Sequence, residues 1–146
     1  MNPPATRRYA FFLMGLPLVL AAGCGGGPKL YPVKGHVAYK GGGDASVLAK
    51  GMVIFEPAEE GMPNISPRAI IGEGGSFEMT TPSDGDGVRP GKYKILVNPP
   101  PFFAKNREES FNPPILIDES FRDFKTSGLE INVTGPVNDF TITVSK

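Results

Sequence analysis

Few residues in this chain carry reactive chemistry, and their spacing limits what that chemistry is. His36 is the only histidine among 146 residues. One imidazole suffices for a serine–histidine–acid relay, yet no Gly-x-Ser-x-Gly elbow occurs and no serine sits in a nucleophile's sequence context. In the segment VKGHVAY, His36 has the parity of Lys34 and Ala38, opposite Val33 and Val37, so it is expected to face solvent. The run Ser83-Asp84-Gly85-Asp86-Gly87 opens like a calcium loop, with Asp84 and Asp86 as oxygen donors. An EF-hand would go on to a third ligand and a glutamate at position twelve. Counting from Asp84, position twelve is Ile95, inside an apolar segment, so the run reads as a tight acidic turn. Lys34, Glu78 and Asn138 supply the groups of a lysine–asparagine cross-link, but that reaction needs a buried, desolvated lysine, and Lys34 and Glu78 both have outward parity. Tryptophan, the usual platform for stacking sugars, is absent, which leaves tyrosine for that task. No catalytic, cofactor-binding or metal-ligating residue is expected.

The lone cysteine is another matter. Cys24 excludes an intramolecular disulfide and a cysteine-based zinc cluster. Upstream lie a basic pair, Arg7 and Arg8, then AFFLMGLPLVLAA over residues 10–22, then Gly23. A membrane-spanning helix needs about 20 apolar residues, and this run is shorter and broken by Pro17, so residues 1–23 read as a signal peptide. Ala21-Ala22-Gly23-Cys24 resembles the bacterial lipobox, in which cleavage precedes a cysteine whose sulfur takes a diacylglycerol. Two or three acyl chains, at about 0.8 kcal/mol per buried methylene, make such an anchor effectively permanent. Residues 24–31 then form the acylated cysteine and a glycine-rich tether. Its reach is at most roughly 30 Å at about 3.5 Å per residue. Cleavage would remove Arg7 and Arg8 and leave 13 basic residues against 15 acidic ones.

The elements behind the tether follow from patterning. Basic and acidic residues number 15 each, so no global field recruits nucleic acid or an anionic bilayer. The 19 glycines and 16 prolines fall between apolar segments, as turns of a β protein do. From Val33 the apolar period is two. Val33, Val37 and Tyr39 share a face; so do Val53 and Phe55, Phe77 and Met79, and Tyr93, Ile95 and Val97. Leu129, Ile131 and Val133 repeat the pattern, as do Phe140, Ile142 and Val144, and Ala69–Ile71 is a short apolar run. Seven amphipathic strands with no helical period predict an all-β, antiparallel β-sandwich over residues 32–146.

Residues 99–125 interrupt the rhythm. The segment carries Pro99, Pro100, Pro101, Pro113 and Pro114 with Phe102, Phe103, Phe111, Phe121 and Phe124. Proline denies a ladder its donor, so the segment is not a central strand. Long loops in compact domains serve a function or stay disordered. Two readings stand: the rings cap one end of the sandwich, or they form an exposed recognition surface.

YPVKGHVAYKGG, GMVIFEP, GEGGSFEMTT, GDGVRPGKYKILV and SGLEINVTGPVNDFTITV occur here in the order found in small bacterial lipoproteins, and the chain resembles their transthyretin-like, carboxypeptidase-regulatory-like domain. The resemblance spans about Tyr31 to Lys146. Its motifs are the hairpin Gly74-Gly75-Ser76-Phe77, the turn Pro90–Tyr93 and the strand start Ser127–Leu129; Glu73 replaces the aspartate usual before the glycines. The resemblance implies a seven-stranded prealbumin-like sandwich and a place in the cell envelope, with no assigned reaction. Transthyretin-like hydrolases of purine catabolism need several histidines and a Tyr-Arg-Gly-Ser terminus, which this chain lacks. The expected protein is a non-enzymatic lipoprotein held to a bilayer through Cys24, on the periplasmic or outer face of a bacterial envelope. Its role is structural or in binding a protein or glycan partner through residues 99–125, and it has no nucleic-acid partner. The alternative is a glycan- or calcium-binding surface module.

Overall fold

The computed structural model describes residues 28–82 and 85–146. Each expected apolar segment forms a strand: β1 (Val33–Tyr39), β2 (Met52–Pro57), β3 (Arg68–Ile70), β4 (Ser76–Glu78), β5 (Thr80–Thr81), β6 (Gly85–Asp86), β7 (Gly91–Asn98), β8 (Leu129–Val133) and β9 (Val137–Val144). They make a three-stranded sheet, β4-β1-β9, and a six-stranded sheet, β6-β5-β3-β2-β7-β8. The described residues are all-β, and the two sheets share one apolar core. Val33, Val37, Phe77, Ile142 and Val144 enter it from the smaller sheet, and Val53, Phe55, Tyr93, Ile95, Val97 and Val133 from the larger. Phe55 and Tyr93 meet there with ring centroids 5.8 Å apart.

Among the described residues nine strands replace the seven predicted, for a local reason. SFEMTT reads as one strand, but it breaks at Met79. The first half pairs with β1 and the second with β3, so the chain passes from one sheet to the other while Phe77 and Met79 both stay buried. The acidic run supplies β6, whose Gly85 and Asp86 pair back on Thr81 and Thr80. The all-antiparallel expectation also fails at one pair. β1 and β9 run parallel, in register from Gly35–Phe140 to Tyr39–Val144. Parallel neighbours need a long connection, and these two strands have the whole domain between them. Gly35 belongs to this pairing: a Cβ there would stand 1.9 Å from the Phe140 carbonyl oxygen. Leu96, which alternates with the inward Ile95 and Val97 and so has the opposite parity, is buried as well.

The strand directions define two ends. At one, Tyr31 pairs with Val88 ahead of β1, and Gly91 lies opposite Val133. At the other lie Tyr39, Asn98 and Ser145, where β1, β7 and β9 finish. β1 separates the two ends by about 20 Å.

Candidate functional site

The segment from Pro99 to Lys125 occupies the second end. Its later half is fastened. The Tyr39 hydroxyl donates to the Leu116 carbonyl at 2.8 Å, the Asp118 amide donates to Ser145 O at 2.8 Å, and Ile117 is buried. Asp118 accepts from the Ser120 amide at 2.9 Å and from its hydroxyl, capping a short 3₁₀ turn over Glu119–Arg122. These donors hold the Asp118 carboxyl below the usual carboxylate range. Thr126 Oγ1 closes the turn by donating to Ser120 O at 2.8 Å. The buried Ser127 hydroxyl ties the following residues to Ile95 O of β7.

The earlier half projects. A single turn of helix, Arg107–Phe111, lies between the two proline runs. Those runs wall a cleft of about 320 Å³, with Phe102 and Ile115 in its lining and Glu119 and Arg122 on its charged side. The five phenylalanines therefore divide. Phe121 packs against the core and Phe124 is half-buried, whereas Phe102, Phe103 and Phe111 are 44%, 81% and 75% exposed. Ile115 is 74% exposed. Part of the segment thus packs on the sandwich and part is displayed. Sequence reasoning could not assign the rings, because the pins that separate them come from Tyr39, Ile95 and Ser145, all distant in the chain.

Lys34, His36, Glu78 and Asn138 lie elsewhere, on the smaller sheet, whereas Asp86 lies on β6 of the larger one. His36 is on β1 beside β9, its Nε2 3.2 Å from Thr141 Oγ1 and its Nδ1 3.7 Å from Asp139 Oδ1. A carboxylate, an imidazole and a hydroxyl thus stand in line. Neither Asp139 nor Thr141 was legible as a neighbour of His36, since only the parallel β1–β9 pairing joins them. The carboxylate contact exceeds hydrogen-bond length, and the His36 and Asp139 side chains are 44% and 89% exposed. An activated nucleophile calls for a shielded base and donors aimed at the developing oxyanion; this row stands on an open sheet face. Lys34 and Glu78 lie opposite each other in register and form a 2.8 Å ion pair, both about half-exposed. They share a shallow depression of about 530 Å³ with His36, Ser76, Asn138 and Asp139. The three groups weighed for a cross-link line one depression, but the lysine is solvated and paired with Glu78.

Cys24 and Asp84 lie outside the described residues. Among the described residues, no group of three or more His, Cys, Asp or Glu is placed to hold a metal ion. No helix there is long and apolar enough to cross a membrane. No protein-family model, curated protein or solved structure matches the chain.

Proposed function

We propose that this chain is a lipid-anchored, non-enzymatic protein of a bacterial envelope, a transthyretin-like β-sandwich fixed to a bilayer through acylated Cys24 and acting by contact rather than by turnover. The observation that carries the reading is the N-terminal order of charge, apolar run, small residues and Cys24. It is supported by the placing of Tyr31, where the tether would enter: that residue sits at one end of the strands, and the exposed rings of 99–125 sit at the other. The tether would thus enter the domain away from the exposed rings.

Cys24→Ser is the direct test. The expected outcome is loss of lipid labelling and of membrane fractionation, with the leader left uncleaved. An unchanged membrane fraction would sink the anchor. The second reading, a glycan-binding module, draws on the depression where Lys34, His36, Ser76, Glu78, Asn138 and Asp139 offer donors and acceptors on one face. Saturable glycan binding that survives truncation of residues 99–125 would favour it over the contact role.

A further inference from the structure

We infer that the projecting phenylalanines insert into the interface of the bilayer that holds Cys24, giving the domain a second, reversible membrane contact at the end opposite its tether. This inference rests on the acyl-anchor reading above. Five of the six large apolar side chains exposed among the described residues are Val47, Phe102, Phe103, Phe111 and Ile115. Val47 lies in a depression beside Tyr39 and Ser145, and Phe102 and Ile115 line the proline-walled cleft, at the end where β1 and β9 finish; Phe103 and Phe111 lie in the loop between the two proline runs.

Two features favour lipid as the occupant. First, reach: Cys24 and Tyr31 are seven residues apart, about 25 Å at full extension. The domain therefore never leaves the neighbourhood of the bilayer, and its surface meets lipid at an effective concentration on the order of millimolar. A domain whose strands lie along the membrane brings both ends within that reach.

Second, shape: Phe103 and Phe111 are 81% and 75% exposed, in a loop that leaves and rejoins the body through the proline runs 99–101 and 113–114. A fluid interface moulds itself around such rings, whereas a folded partner would need a matching pocket for each. Charge sets the signature of such a contact: residues 99–125 carry four basic and five acidic residues. That balance gives no attraction to anionic headgroups, so insertion should be driven by apolar burial and be indifferent to salt and to lipid charge.

The test uses the mature acylated protein. Its Cys24 sulfur is blocked by the acyl group, so an introduced cysteine is the single free thiol. Phe103→Cys, Phe111→Cys and, at the tether end, Glu60→Cys are each labelled with an environment-sensitive fluorophore and reconstituted in phosphatidylcholine vesicles. The expected result is a blue shift with a severalfold gain in emission at 103 and 111 but not at 60. It should be unchanged by half-molar salt or by added phosphatidylglycerol. As a second measurement, a label at Ile115→Cys should lose its shift when Phe103 and Phe111 are both replaced by serine. Aqueous emission at 103 and 111 from protein that still floats with the vesicles would overturn the insertion and leave the anchor standing. Protein that fails to float would overturn the anchor itself. Shielding of the labels only after a soluble envelope-protein fraction is added would overturn the lipid assignment in favour of a protein partner.

Discussion

A buried ring and an exposed one of the same type separate packing from surface display. Phe77 is 5% exposed in the shared core. Phe77→Ala should lower the unfolding free energy by about 3–5 kcal/mol, the usual cost of emptying a core site of that size. Phe103→Ala removes an equal ring from the surface and should change stability by less than about 0.5 kcal/mol. Urea titrations of the two variants compare them directly, and a similar loss in both would contradict the burial described. Gly35 supplies a second residue-scale test. With a Cβ 1.9 Å from the Phe140 carbonyl oxygen, Gly35→Ala cannot be accommodated without moving β9. A loss of about 1–3 kcal/mol or more is expected, the cost of overpacking a closed site. An unchanged urea midpoint would show that the two strands do not approach this closely.

At the scale of elements, the 99–125 segment is a loop held by a few identifiable pins. Burial pushes the Tyr39 phenol up from its ordinary value, and its hydroxyl donates to Leu116 O. A group whose folded pKa is raised contributes stability that is complete below its unfolded pKa and is lost as pH rises through the folded value. The loop should therefore loosen above about pH 10, the ordinary range of tyrosine. Tyr39→Phe should abolish that alkaline loosening and cost about 0.5–1.5 kcal/mol at neutral pH. Hydrogen exchange at the Asp118 amide, which bonds Ser145 O, reads the effect directly. Asp118 and Asp44 have the opposite sign. Each carboxyl is held below its usual range chiefly by a serine two residues on. Their caps are made above the unfolded carboxylate pKa and are lost as pH falls through the lower folded values. Acid should thus fray the two 3₁₀ turns, Ala45–Leu48 and Glu119–Arg122, while alkali acts on the Tyr39 contact.

For the molecule as a whole, the two sheets and the projecting loop are energetically separable. The core draws on strands from both sheets and on Ile117, but on none of the exposed rings. Replacing residues 100–114 with a short glycine–serine link should leave the urea midpoint nearly unchanged. Loop length enters closure entropy only logarithmically, so the shift in stability should stay within about 1 kcal/mol. The same variant is expected to lose whatever contact the rings make, so stability and contact can be measured apart. A collapse of the cooperative transition would instead mean that the loop is part of the folding unit.

The strand segments and most of their inward residues could be read from the sequence, because alternation is a local property and burial of one face follows from it. Val33, Val37, Phe55, Phe77, Tyr93, Ile95, Ile142 and Val144 are all where the period of two puts them. Alternation fixes faces but not neighbours. That β1 lies parallel to β9, that SFEMTT divides between two sheets, and that His36 meets Thr141 and Asp139 depend on contacts between residues far apart in the chain. The five phenylalanines share one side chain and one irregular segment with no apolar period to sort them. Only the distant pins from Tyr39, Ile95 and Ser145 turned two of them toward the body and left three facing outward.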